Sequence, residues 1–265
     1  MSASPALTPS QAAWALLTPR RTTRLPTQNV VELWNHARWI DITAEARVHI
    51  SQAGEGPVAA LVHGWEGSAD DFSAIASALV SHGYSVMGLD LPAHGQSDGV
   101  WTSIPACVQV LLEVQHALKC NFQAVIGHSY GAAVIGEALA AGLRAERAVL
   151  ISPPRRFMDG VREFAKRLGF DEANTQAFVA ALREIGVDPD PLDLPLTVSR
   201  LSVPALILHS DNDSVIPIAA ARSVAEAWRG SRFVELAGCG HRRLLGEPAV
   251  AERIVTFLSG DASTA

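Results

Sequence analysis

Gln123-Ala124-Val125-Ile126-Gly127-His128-Ser129-Tyr130-Gly131-Ala132-Ala133-Val134-Ile135 places a Gly-x-Ser-x-Gly step between two apolar runs. A strand entering a helix through such a step forces the serine into a tight, strained turn with its hydroxyl exposed. A free serine hydroxyl is a weak nucleophile, but one held this way beside a base can attack a carbonyl. The reading of the chain therefore turns on whether a base, and an acid to orient it, occur elsewhere.

Around this stretch, short apolar runs rich in β-branched residues alternate with segments of helical period. The expected strands are Arg47–Ser51, Val58–Val62, Ser85–Leu89, Ala124–Gly127, Ala148–Ile151, Ala205–His209 and Phe233–Leu236, with Trp39–Ile42 as an antiparallel edge. Most are continuously apolar, as strands of a parallel sheet covered on both faces must be. Helices with legible ends lie between them. Ser68 and Asp71 form a capping box ahead of Phe72, Ile75, Ala76 and Leu79. A second helix runs from about Ser103 to Leu118, with Pro105 in its first turn. The last begins near Pro248 and stops before Gly260. The expected fold is α/β, a mostly parallel doubly wound sheet with helices on both faces.

The rhythm breaks between Arg155 and about Val203, a span too long for one crossover helix and its loops. Phe157, Val161, Phe164 and Leu168 recur at helical spacing, and Phe178, Leu182 and Ile185 mark a second helix. A small helical insertion over 155–203 follows, ending in an irregular, proline-rich return through Asp188 to Pro195. The core is expected over 38–154 and 204–265, and 1–37 is read as a poorly ordered or loosely packed extension. Pro5, Pro9, Pro19 and Pro26 break any long amphipathic helix there.

Composition narrows the function classes. Of the 265 residues 48% are hydrophobic, enough for one large core, and a formal charge of −6 offers nucleic acid no attractive field. No apolar run approaches the roughly 20 residues needed to span a bilayer. Three cysteines, Cys107, Cys120 and Cys239, lack both disulfide-framework and metal-ligand spacing, so a reducing, cytoplasmic setting is expected. Residues 1–31 carry no acid and include Arg20, Arg21 and Arg24, a composition shared with organellar transit peptides and kept as the minor alternative.

Position sorts the nine histidines. His241 follows the last expected strand in the glycine-rich Ala237-Gly238-Cys239-Gly240-His241, at the carboxyl edge where open α/β sheets bind ligands. It is the candidate base. The acid should come from another carboxyl edge, and Ser210-Asp211-Asn212-Asp213 after Ala205–His209 offers Asp211 and Asp213, either at workable spacing. His128 reads as a packing or hydrogen-bonding residue of the turn, and His63 and His94 as loop-ordering residues, with His63 also a candidate pocket residue. His209 reads as buried and satisfied. Cys239 lacks the turn that exposes Ser129. The basic residues Arg155, Arg156, Arg162, Lys166 and Arg167 read as a solvated face rather than a phosphate site.

The turn at Ser129, the His63-Gly64-Trp65 step, Asp90-Leu91-Pro92-Ala93-His94-Gly95-Gln96-Ser97-Asp98, Asp213-Ser214-Val215-Ile216-Pro217 and Gly240-His241 together resemble the α/β-hydrolase superfamily from about residue 47 to 260. The family pattern places its acid a few residues before a proline, which selects Asp213. The resemblance implies Ser129, Asp213 and His241 as catalytic residues and the main-chain N–H groups of Trp65 and Tyr130 as an oxyanion hole. It further implies that the insertion caps the pocket, so that Phe157, Met158, Phe164 and Phe178 are candidate lining residues. A serine rather than an aspartate at the turn argues against the family's haloalkane dehalogenases and epoxide hydrolases. The expected activity is hydrolysis of a carboxylic ester of a small or medium-sized molecule, with no metal and no organic cofactor. Thioester, amide, lactone or carbon–carbon hydrolysis, perhydrolysis and hydroxynitrile cleavage are rivals, and a small-molecule receptor is the rival outside enzymes.

Overall fold

A computed structural model describes residues 7–21, 32–43 and 46–260. Eight strands form one sheet in the order β1-β2-β4-β3-β5-β6-β7-β8. They are β1 His36–Thr43, β2 Ala46–Ala53, β3 Val58–Val62, β4 Ser85–Leu89, β5 Ala124–His128, β6 Ala148–Ile151, β7 Ala205–Ser210 and β8 Arg232–Leu236. β2 runs antiparallel to both β1 and β4, and every other pairing is parallel.

Helices bury the sheet on both sides, so alternate residues of one strand enter different cores. Ala60 and Val62 of β3 join one apolar cluster while Ala59 and Leu61 join the other, and all four are fully buried. This is why the central strands read as unbroken apolar runs. The chain leaves β3 for β4 on one side and takes up β5 on the other, so the strand order reverses at β3 and opens a crevice at the carboxyl ends. The loops after β3, β5, β7 and β8 all meet there.

The first described helix, α1 Pro9–Leu17, lies where only a loose extension was expected. Pro9 occupies the first helical turn, where its missing N–H costs nothing, and Thr8 and Gln11 form a capping box. Pro19 falls after the helix has ended, so neither proline interrupts it. Residues 1–6 and 22–31, with Arg24 and Pro26, lie outside the described residues, and so does most of the transit-peptide composition. The helix after Ser68 begins as a single 3-10 turn, Ala69–Phe72, before α2 Ser73–Ser81. Helices α3 Ile104–Leu118 and α4 Tyr130–Ala140 follow.

Between β6 and β7 the chain forms α5 Phe157–Arg167, α6 Glu172–Glu184 and a short α7 Leu194–Val198, this last beginning at the end of the stretch expected to be irregular. The two ends of the excursion are tied together. Phe157 N–H donates to Leu192 O at 3.0 Å, Leu194 N–H to Arg155 O at 2.9 Å, and Arg156 meets Asp193 at 2.7 Å. Helices α8 Ile218–Ala227 and α9 Pro248–Ser259 complete the described chain. No helix of the described residues is long and apolar enough to cross a membrane.

Candidate active site

Ser129 sits at φ 54°, ψ −116°, a region that costs a non-glycine residue on the order of 1–3 kcal/mol. The glycines around it make the turn possible. A Cβ on Gly131 would lie 2.1 Å from Val62 O, and one on Gly127 would lie 2.6 Å from Gly131 O. Helix α4 can therefore start directly against β3 only if both positions lack side chains. The strain is fixed by β5 and α4, which are buried on both sides of the turn.

His241 bridges Ser129 to a carboxylate. Its Nε2 lies 3.0 Å from Ser129 Oγ, and its Nδ1 lies 2.7 Å from Asp213 Oδ2. With Nδ1–H donated to the carboxylate, Nε2 presents a lone pair to the serine hydroxyl. The Asp213 side chain is fully buried, and Val215 N–H and Ile216 N–H each donate to its Oδ1 at 2.9 Å. Burial alone would raise its proton affinity, but the hydrogen bond from His241 and those two N–H groups outweigh it. The carboxyl is held well below the usual carboxylate range.

The rival acid has a different task. Asp211 Oδ1 accepts from Gly238 N–H at 2.8 Å, Ser210 Oγ accepts from Cys239 N–H and Gly240 N–H, and Asn212 Oδ1 accepts from Gly240 N–H at 2.7 Å. Three consecutive polar residues, the last of β7 and the two after it, thus pin the glycine turn that carries His241. Sequence reasoning missed this bracing, although short polar side chains bunched after a strand are the usual partners of loop main chain. His209, expected to be satisfied, has Nε2 2.9 Å from Ile216 O and 3.5 Å from Asp213 Oδ2, yet its buried Nδ1 has no partner.

Three of the other histidines, His128, His94 and His63, have structural tasks. His128 Nε2 lies 2.8 Å from His241 O, and burial followed by the nearby His241 pushes its pKa down to about 3. It is a hydrogen-bond donor and not a second base. His94 is likewise lowered to about 3, first by burial and then by His63. His63 does not fit the pocket role considered for it. It is fully buried, its Nδ1 donates to Gly64 O at 2.7 Å, and its Nε2 accepts from Leu91 N–H at 3.0 Å. Both ring nitrogens serve main chain, so none is left to meet a ligand.

Phe178 is corrected for a similar reason. It has no exposed surface and is buried with Val161, Ala165 and Leu182 of the insertion and with Ala12, Ala13 and Leu17 of α1. Phe157, Met158 and Phe164 pack partly buried against the same cluster, with the Phe164 and Phe178 ring centroids 6.0 Å apart. These side chains build the interior of the insertion itself. Of the basic residues there, Arg156 pairs with Asp193 and Arg167 faces Glu163 at 3.9 Å.

Trp65 and Tyr130 stand side by side with ring centroids 5.1 Å apart. Tyr130 opens α4, so its N–H is one of the helix-start donors with no partner inside the helix. The Trp65 carbonyl accepts from Arg242, the residue after His241, at 2.9 Å, which ties the loop after β3 to the loop after β8. Cys239 is no rival nucleophile, since burial pushes its thiol up and Sγ donates to Ala237 O. Among the described residues, no three metal-ligating side chains come together as an ion site.

The sequence profile of the alpha/beta hydrolase family matches residues 59–253, nearly three quarters of the chain and every site residue described above. The chain belongs to the alpha/beta hydrolase family. Among this hydrolase's relatives, a pimeloyl-[acyl-carrier protein] methyl ester esterase from Nitrosomonas europaea is 26% identical over 246 residues, covering 77% of this chain and 96% of the relative. Solved structures share the hydrolase fold at lower identity. An esterase from Exiguobacterium antarcticum superposes with a TM-score of 0.66 at 19% identity, covering 83% of this chain and 98% of its own. A bromoperoxidase from Bacillus anthracis gives 0.67 at 19%, covering 85% and 100%.

Proposed function

We propose that this alpha/beta hydrolase cleaves a carboxylic ester of a small or medium-sized molecule through a covalent acyl-serine. The observation that carries the reading is the continuous chain from Ser129 Oγ through His241 to Asp213, at 3.0 and 2.7 Å, with the serine on a strained turn. His241 Nε2 takes the Ser129 proton as Oγ bonds to the ester carbonyl carbon, and Asp213 stabilises the imidazolium that forms. The main-chain N–H groups of Trp65 and Tyr130 donate to the carbonyl oxygen as it gains charge. Collapse of this adduct breaks the bond to the alkoxy group, which leaves as the alcohol with the proton from His241. Water, deprotonated by the same nitrogen, then attacks the acyl carbon, and the carboxylic acid departs as Ser129 recovers its proton.

None of these steps calls on a metal or organic cofactor. Esterase relatives at 25–26% identity support an ester over the rival acyl substrates. Wild-type protein and Ser129→Ala, assayed on fluorogenic esters of graded acyl length beside matched thioesters and amides, test the reading. Ester turnover that is lost in the variant supports it. Thioester turnover well above that on the matched ester would replace the substrate class.

A further inference from the structure

The loop after β3 contains a conformational oddity. Gly67 N–H donates to Gly64 O at 3.1 Å, closing a turn with Trp65 and Glu66 at its centre, and Glu66 lies at φ 58°. That left-handed position favours glycine or asparagine, and a long carboxylate side chain there is uncommon. Backbone strain kept by a particular side chain calls for a task that the side chain performs. Glu66 Oε1 accepts the main-chain N–H of Arg20 at 3.1 Å, with the Arg20 guanidinium 3.5 Å away.

Arg20 belongs to a segment anchored at several points. Upstream, α1 buries Ala12, Ala13 and Leu17 against α5 and α6 of the insertion, so the cap core is completed by the N-terminal helix. Leu17 O then accepts from Thr102 N–H at 2.9 Å. Arg21 donates to three carbonyls of the loop after β4, those of Gly95, Ser97 and Gly99, at 2.8, 2.7 and 2.8 Å. The segment thus runs from the cap, across the loop after β4, to the residue next to Trp65. It also lies outside residues 59–253, the part matched by the family.

We infer that Glu66 is a positioning residue: it couples the N-terminal segment to the turn whose Trp65 N–H faces the developing oxyanion. This inference rests on the oxyanion role proposed above for Trp65. An exposed ion pair is worth little by itself, because solvent screens it. The main-chain hydrogen bond works differently, since the segment that donates it is already held by α1 and by Arg21. Arg242 grips the same turn through Trp65 O. Two grips fix the direction of a donor that must be in place before charge develops.

Three variants of the full chain test this. Glu66→Gln keeps a side-chain oxygen within reach of the Arg20 N–H, Glu66→Asn tolerates the left-handed backbone but is too short, and Glu66→Gly removes the strain altogether. If the residue mattered only through strain, glycine and asparagine would equal or better the wild type. The coupling predicts the reverse: kcat on a short ester falls about tenfold in Glu66→Asn and Glu66→Gly, KM stays within about twofold, and Glu66→Gln stays within about threefold of wild type. Amide hydrogen exchange at residues 65–67 speeds up about tenfold in the same two variants. Wild-type kcat and wild-type exchange in Glu66→Asn and Glu66→Gly would overturn the coupling, as would Glu66→Gln falling as far as they do. If the wild type hydrolysed no ester, the proposed activity would fall, and the exchange measurement would still decide whether Glu66 holds the turn.

Discussion

His128 Nε2 donates to the main-chain carbonyl of His241 at 2.8 Å, joining the residue just before the candidate nucleophile to the candidate base. Loops after β5 and β8 are more than a hundred residues apart in sequence, so this bond and the bracing from Ser210, Asp211 and Asn212 hold the 3.0 Å Ser129–His241 distance.

Replacing His128 with phenylalanine keeps the ring volume and removes the donor. The expected result is a fall in kcat of about tenfold with KM little changed, because a small misplacement of the base costs rate more than binding. Steady-state kinetics on one ester checks it.

Asp213→Asn and Asp211→Asn separate the two neighbouring carboxylates. Asn at 213 presents its amide where Nδ1–H of His241 needs an acceptor, favours the wrong tautomer, and should lower kcat by about 10³ to 10⁴. Asn at 211 keeps a carbonyl oxygen for the Gly238 N–H and should stay within about threefold of wild type. Equal losses in the two variants would mean that position 213 has no special part in the chemistry.

Acid should destabilise the fold well before its carboxylates protonate. His94 and His128 are neutral in the folded chain, with pKa values lowered to about 3, while the unfolded value is about 6.5. A group whose folded value is depressed in this way gives stability that is complete above the unfolded value and is lost as pH falls through the window from about 6.5 to 3. These two groups alone give a slope of about 2.7 kcal/mol per pH unit within it, twice the 1.36 expected for one proton, and His63 and His209, also lowered by burial, steepen it further. Urea unfolding between pH 7 and 5 measures the slope. His94→Leu should remove about 1.4 kcal/mol per pH unit of it, one proton's share, since the buried His94 Nε2 has no partner to lose.

Gly131→Ala tests the close approach of α4 to β3. The new Cβ would fall 2.1 Å from Val62 O, backbone against backbone, so neither side can yield cheaply. A loss of more than about 3 kcal/mol, seen as a lower urea midpoint or as insoluble protein, is expected.

Much of this architecture was legible in the chain because its strands are buried on both faces and its helix ends carry caps. The apolar run at 123–126 and the paired glycines at 127 and 131 announce the turn at Ser129 without reference to anything distant. The choice between Asp211 and Asp213 was not legible from the residues, since both are aspartates at workable spacing. Only the three-dimensional path of the loop shows that one faces an imidazole and the other a glycine N–H. Helix α1 is hidden in the sequence because Pro9, a breaker inside a helix, here begins one, and because its buried face of Ala12, Ala13 and Leu17 finds its partners in α5 and α6, far along the chain. Phe178 carried the same ambiguity: an apolar side chain at helical spacing looks alike whether it lines a pocket or fills a core.

The central claim is that Ser129 is an activated nucleophile. Treating the folded protein with a fluorophosphonate and mapping the adduct by mass spectrometry tests it most directly. The account predicts one phosphonyl group on the peptide containing Ser129, lost in Ser129→Ala together with ester hydrolysis. An unlabelled Ser129, or a Ser129→Ala protein that hydrolyses esters at a near-normal rate, would contradict it.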